Sequence, residues 1–164
     1  MHYFAYGSNM SLARLKGRTP SAVALGCHML KAHDLRFHKS GKDGSGKCDA
    51  CFTSNVCDTI YGVLFKIDPA EKPALDKAEG LGYGYDEKEV HVIAQGGSAT
   101  NATMYVATKI CENLKPYSWY VNHVLVGAME ASLPDNYITT KIASVETVED
   151  RDRKRDESER AIHR

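Results

Sequence analysis

The chain has 164 residues, enough for one domain with a sizeable core, and its 21 basic and 21 acidic residues cancel. No net charge therefore draws it to nucleic acid or anionic lipid. No apolar run is long enough to span a bilayer, no basic-then-apolar leader opens the chain, and five cysteines is an odd count for a disulfide framework. The expectation is a cytoplasmic protein in a reducing compartment.

The first element is the most informative. Tyr3-Phe4-Ala5-Tyr6 begins as an apolar, aromatic strand and breaks into Gly7-Ser8-Asn9. Gly7 has no Cβ to obstruct a ligand and can adopt angles closed to other residues. Ser8 and Asn9 can cap a following helix, and Ser11 to Leu15 reads as a short one. A strand, a glycine turn and a helix start make a nest of amide donors suited to carboxylates, phosphates or a developing oxyanion. An ordinary strand-to-helix connection has the same local pattern.

Ala22 to Leu25 and Leu30 to His38 read as strands, and Ser40 to Lys47 as a polar, mobile hairpin connection. This glycine-rich loop lacks the Gly-Lys-Ser/Thr ending of a nucleotide loop. Ile60 to Ile67 is a strand rich in β-branched and aromatic residues. Asp68-Pro69-Ala70-Glu71 starts a helix, with Asp68 as cap, Pro69 in the first turn and Glu71 completing a capping box. Leu75 and Ala78 supply its inward stripe, and Gly80 ends it. After a loop to Tyr85, the strands Val90 to Ile93 and Ala102 to Ala107 are joined by a hairpin at Gln95 to Ser98. Trp119 to Ala131 is a helix with Val121, Val124, Leu125 and Ala128 on one face. Pro134 stops it, and Tyr137 to Val145 is one more. Strands dominate the first two-thirds and helices the last third, so the class is α+β. Residues 1–148 make one domain, and the dense charges of 149–164 make a tail that is partly helical or disordered.

Two sets of residues could carry chemistry. Glu79 ends its helix at the negative end of the helix dipole, an environment that tends to raise a carboxylate pKa toward the range of a general acid–base group. A solvated surface glutamate would occupy the same position. Cys48 and Cys51, with Cys57, could hold zinc, but a structural site wants four ligands and no second pair exists. The histidines His28, His33 and His38 recur every five residues, which fits neither a helix face nor a strand face. No nucleophile elbow, HExxH or Rossmann fingerprint is present.

Together these pieces resemble the γ-glutamyl cyclotransferase family over roughly Met1 to Tyr137. Phe4-Ala5-Tyr6-Gly7-Ser8-Asn9 resembles the family's N-terminal loop, and Thr19-Pro20-Ser21-Ala22 its lead-in to the next strand. Tyr61-Gly62-Val63-Leu64-Phe65 is similar to the strand before its catalytic helix, and Leu75-Asp76-Lys77-Ala78-Glu79-Gly80 to the segment carrying its catalytic glutamate. Tyr85, Lys88 to Ile93, Tyr105, Trp119-Tyr120 through Gly127-Ala128, and Leu133-Pro134 follow in the family's order. Met10 stands where leucine is usual, and Gly82 and Gly84 make the loop after Glu79 unusually glycine-rich.

The resemblance implies a small mixed β-barrel surrounded by helices. It implies a γ-glutamyl cyclotransferase that releases 5-oxoproline and a free amine or amino acid, with Glu79 as catalytic base and acid. Tyr3, Phe4, Ala5, Tyr6, Gly7, Ser8, Asn9, Tyr85 and Tyr105 are the substrate-binding residues it implies. No metal or organic cofactor is required, and the partner is a small γ-glutamyl substrate, with the chain a monomer or homodimer. Two readings compete with this one: a non-catalytic small-molecule-binding module of the same fold, and an interaction domain stabilised by zinc on Cys48, Cys51 and Cys57.

Overall fold

The computed structural model describes residues 1–164. Five strands close into a barrel: β1 (His2–Ala5), β2 (Val23–Lys31), β5 (Thr59–Lys66), β6 (Tyr85–Ala94) and β7 (Ala99–Ala107). Their order around the barrel is β1-β5-β2-β6-β7. All neighbours are antiparallel except β1 and β7, which close the ring in parallel at Tyr3 opposite Thr103. The interior is filled by side chains that alternation turns inward, among them Phe4, Ile60, Leu64, Val92 and Met104, all fully buried. Gly62 is required on steric grounds, since a Cβ there would sit 2.4 Å from the Ala5 carbonyl and 2.7 Å from the Phe4 ring. The small mixed barrel matches the fold implied by the resemblance.

A separate hairpin, β3 (His33–Ser40) with β4 (Gly46–Phe52), stands beside the barrel. The stretch read as one strand from Leu30 to His38 is split, because Ala32 at φ 61° turns the chain between β2 and β3. The Ser40 to Lys47 connection is not simply a solvated turn: Ser45 and Gly46 are buried, and Gly46 N–H donates to the Lys115 carbonyl at 3.0 Å.

The helix predicted from Asp68 is two pieces, a 3₁₀ turn (Pro69–Glu71) and α2 (Lys72–Glu79). Pro73 in the first turn of α2 has no N–H, so the chain restarts its helix there. Asp68 caps as expected, accepting from Ala70 N–H at 2.9 Å. Glu71 does not complete a capping box: its carboxylate binds Ser21, Oγ at 2.6 Å, and Ser21 Oγ in turn accepts from Asp68 N–H at 2.8 Å. Leu75 is fully buried, whereas Ala78 is exposed at a cavity wall rather than part of the inward stripe.

The short α1 (Leu12–Lys16) follows the first turn, which is itself a 3₁₀ helix (Ser8–Met10). Behind this turn lies α3 (Ser118–Glu130), with Val121, Val124 and Ala128 buried. Contact is close at Gly127, where a Cβ would lie 2.3 Å from Ser11 N and 2.4 Å from the Met10 carbonyl carbon. α4 (Asp135–Tyr137) continues as a π-helical turn over Ile138–Ala143.

Within the tail, α5 (Arg153–Ala161) is held by charge pairing rather than by apolar burial. Arg155 binds the buried Asp150 carboxylate through Nε and Nη2, both at 2.6 Å, and Trp119 Nε1 donates to the same group at 2.9 Å. Glu159 accepts from His123 Nε2 at 2.9 Å and from Arg14 Nη1 at 2.5 Å.

Candidate active site

The end of α2 aims Glu79. Gly80 adopts the left-handed conformation, φ 70°, which favours glycine. Its N–H donates to the Lys77 carbonyl at 3.3 Å, and Leu81 N–H donates to that of Asp76 at 2.9 Å. This closure satisfies the last carbonyls and stops the helix beside Glu79. Oε1 of Glu79 then accepts from Asn9 Nδ2 at 2.8 Å and from Arg18 Nη1 at 3.4 Å. Asn9 is itself fixed: its Nδ2 also donates to Tyr3 Oη at 3.0 Å, and its Oδ1 accepts from Arg18. The Glu79 side chain is only 16% exposed, and its Oε2 makes no hydrogen bond to protein. A carboxylate whose chain position suited bulk solvent equally well is thus locked against the first turn of the polypeptide.

Around it lies a narrow recess lined by Tyr3, Tyr6, Gly7, Ser8, Asn9, Cys48, Glu79, Tyr85, Tyr105 and Tyr120. Eight of the ten residues expected at the site are therefore together. Phe4 and Ala5 are not among them: they point to opposite faces of β1, and each is buried in hydrophobic packing. Gly7 has φ −119°, so unusual backbone angles are not its contribution. It is required by close approach, because a Cβ would meet Cys48 Cβ at 2.9 Å.

The tyrosines form walls more than hydrogen-bonding arms. Tyr6 Oη donates to the Tyr105 carbonyl at 2.5 Å, Tyr85 Oη to the Cys48 carbonyl at 2.7 Å and Tyr105 Oη to Asp76 Oδ1 at 2.6 Å. Tyr120 Oη accepts from Cys48 N–H at 3.0 Å. Burial pushes the phenol pKa of Tyr3, Tyr6, Tyr85, Tyr105 and Tyr120 upward, because no solvent stabilises a phenolate there. Burial likewise pushes the Cys48 thiol up to about 12. The phenols and the thiol keep their protons near neutrality, and Glu79 is the only carboxylate lining the recess.

At Glu79 the recess opens into a wider cavity of about 300 Å³, with Ser8, Tyr85 and Tyr120 shared between the two. Its walls come from the Gly80–Gly84 loop, the β3–β4 hairpin and α5, so the segments expected to be mobile or frayed are structural parts of the site.

The three cysteines do not converge. Cys48 is buried, Cys51 half-buried and Cys57 exposed, and positions three apart on one strand point to opposite faces. Cys51 instead shares a cluster with His38 and Asp49. There His38 Nε2 lies 2.9 Å from Asp49 Oδ2, and Asp49 Oδ1 accepts from Ala107 N–H at 2.9 Å, tying the hairpin to β7. Arg18, Asp76, Cys48 and Tyr120 are the site residues the sequence reading missed. Asp76 and Tyr120 lie inside the motifs quoted above, but what joins them to the site is not local: Tyr120 and Cys48 are 72 positions apart.

A closed mixed barrel with a carboxylate at the mouth of a tyrosine-lined recess is the architecture of a small-molecule enzyme. The AIG2-like family profile matches residues 59–140. The chain is 34% identical over 149 residues to a γ-glutamylcyclotransferase of Bos taurus, covering 88% of this chain and 78% of that protein. It is 31% identical over 143 residues to a γ-glutamylcyclotransferase of Homo sapiens, covering 82% and 73%. A solved structure of a γ-glutamyl cyclotransferase superposes with a TM-score of 0.87 at 27% identity, over 99% of this chain and 98% of that one. The chain belongs to the γ-glutamylcyclotransferase family and is an enzyme of that family. No helix is long and apolar enough to cross a membrane.

Proposed function

We propose that the chain converts a γ-glutamyl compound to 5-oxoproline and a free amine or amino acid, with Glu79 as the group that moves the protons. The observation that carries this reading is the Glu79 carboxylate held by Asn9 at 2.8 Å, with Oε2 unpartnered at the cavity. The γ-glutamyl half occupies the recess. Its α-ammonium gives a proton to Glu79, and the freed amine attacks the γ-carbonyl carbon of the same molecule. A C–N bond forms, the π electrons move to oxygen, and the ring nitrogen, cationic after attack, releases its second proton to solvent, which leaves a tetrahedral oxyanion.

Main-chain amides of the Gly7–Asn9 turn supply preorganised donors for substrate charge. When the oxyanion collapses, the bond to the departing nitrogen breaks and Glu79 returns the proton to that nitrogen. Without that proton, an amide anion would have to leave. Nucleophile and electrophile are already tethered, so the tyrosine walls mainly select the curled conformer, and proximity lowers the barrier. No step calls for a metal or an organic cofactor.

The test is incubation of the protein with a panel of γ-glutamyl dipeptides and γ-glutamylamines, followed by mass spectrometry of both products. Equimolar 5-oxoproline and free amine from at least one of them is expected. Release of glutamate instead would assign hydrolysis and remove the cyclisation.

A further inference from the structure

Seven cationic side chains and three carboxylates line the wide cavity, although the chain as a whole is neutral. Four of the cations have partners: Arg14 with Glu159 at 2.5 Å, Arg18 with Glu79 at 3.4 Å, Lys47 with Asp43 at 2.7 Å, and Arg155 with Asp150 at 2.6 Å. Lys39, Lys42 and Lys109 have no carboxylate within bridging distance. All three gather at one end of the cavity, around the loop that follows Glu79. Lys39 Nζ lies 4.6 Å from the centroid of Tyr85, and Lys109 and Lys42 stand 3.9 and 5.4 Å from that of Tyr83.

Lys39 is the telling member. It is 7% exposed, yet neither an acceptor nor a counter-ion meets its ammonium, only the face of the Tyr85 ring. Placing a charge there costs desolvation that a ring face repays only in part. Desolvation lowers its pKa accordingly. Gly84 makes room for it, since a Cβ at that position would lie 3.0 Å from Lys39 Nζ. A cation kept half-desolvated and unpaired at a cavity wall is suited to an anion brought in by a ligand.

We infer that Lys39, Lys42 and Lys109 form a subsite for a leaving group bearing two carboxylates, an acidic amino acid attached through its nitrogen to the γ-glutamyl carbonyl. The inference rests on the cyclisation proposed above, which puts the γ-glutamyl half in the recess and the departing half in the wide cavity. Gly80 and Gly84 line the cavity without side chains that would fill the space. Two carboxylates, rather than one, match three unpaired ammonium groups clustered at a single end.

The experiment compares γ-glutamyl-glutamate, γ-glutamyl-alanine and a γ-glutamyl alkylamine, which share one half and differ in leaving-group charge. We expect kcat/KM to be roughly tenfold higher for the diacid than for the alanine compound, the size of one charge-assisted contact. That ratio should shrink as salt is raised. In Lys39→Met with Lys109→Met it should fall to about one, while Lys39→Arg should keep it. Equal kcat/KM for the diacid and the alanine compound, or a ratio that survives loss of both lysines, would overturn the subsite. The same pair of dipeptides is titrated calorimetrically into Glu79→Gln protein. If no compound yields 5-oxoproline, the reaction is wrong, and the binding ratio still decides the subsite: tighter diacid binding that depends on Lys39 and Lys109 upholds it, and equal affinities overturn it.

Discussion

Gly127→Ala separates the stability of the fold from the geometry of the site. The added Cβ would fall 2.3 Å from Ser11 N, 2.4 Å from the Met10 carbonyl carbon and 2.6 Å from Met10 Cβ. Ordinary contact needs more than 3.4 Å, so either α3 or the Ser8–Met10 turn must retreat by about 1 Å. The helix gains about 1 kcal/mol from alanine over glycine, while overpacking costs about 1–3 kcal/mol, so the net change in stability is small or moderately unfavourable. The turn carries Asn9, whose amide holds Glu79 at 2.8 Å, and displacing a positioning group by 1 Å costs roughly 100-fold in rate. Urea denaturation should place the variant within about 2 kcal/mol of the parent, while kcat/KM for 5-oxoproline release falls roughly 100-fold, about 2.7 kcal/mol of transition-state stabilisation. Wild-type kcat/KM in a folded Gly127→Ala protein would refute the argument that α3 fixes the turn.

Glu159 makes the docking of α5 sensitive to acid. The His123 ring, then Arg14, hold its carboxyl down at about 2, against the desolvation of a half-buried position. Burial lowers the His123 pKa, so the pair is a neutral imidazole donating to a carboxylate. A depressed carboxyl pKa adds stability that is present above the unfolded value, near 4.5, and is lost as pH falls toward about 2. Thermal melts should show Glu159→Gln losing less stability than the parent between pH 4.5 and 2; identical slopes would contradict the pairing. The thiols offer a separate check. Buried Cys48, with its pKa pushed up to about 12, should resist alkylation in the native protein while exposed Cys57 is labelled first, as read by peptide mass spectrometry. Labelling of Cys48 at the rate of Cys57 would show that the recess opens.

The parts of the site legible in the sequence are those whose reason is local. Glu79 is marked by a capped helix that ends on glycine, and the first turn by an aromatic strand broken at Gly7-Ser8-Asn9. The residues that lock them together are not local: Arg18 reaches Glu79 across 61 positions, and Tyr120 meets Cys48 across 72. The sequence suggests two reasons for Gly7, freedom of backbone angle and the absence of a Cβ facing a ligand, but its constraint comes from Cys48 on another sheet, which no pattern around Gly7 encodes. Strand identity was legible from alternation, whereas the parallel closure of β1 on β7 rests on a single register contact, Tyr3 with Thr103. The order of the tail has no apolar signal: it is held by a local pair, Arg155 with Asp150 five positions away, and by Glu159 with Arg14 across 145 positions, a contact that only the fold creates.

The proton-carrying role of Glu79 is tested most directly by Glu79→Gln, which keeps the shape and the Asn9 contact but cannot exchange a proton near neutrality. Single-turnover release of 5-oxoproline, measured beside the equilibrium affinity for the same γ-glutamyl substrate, separates chemistry from binding. The account predicts a rate lower by about 10²–10⁴-fold with affinity changed only a few-fold. A rate within tenfold of the parent enzyme would contradict it.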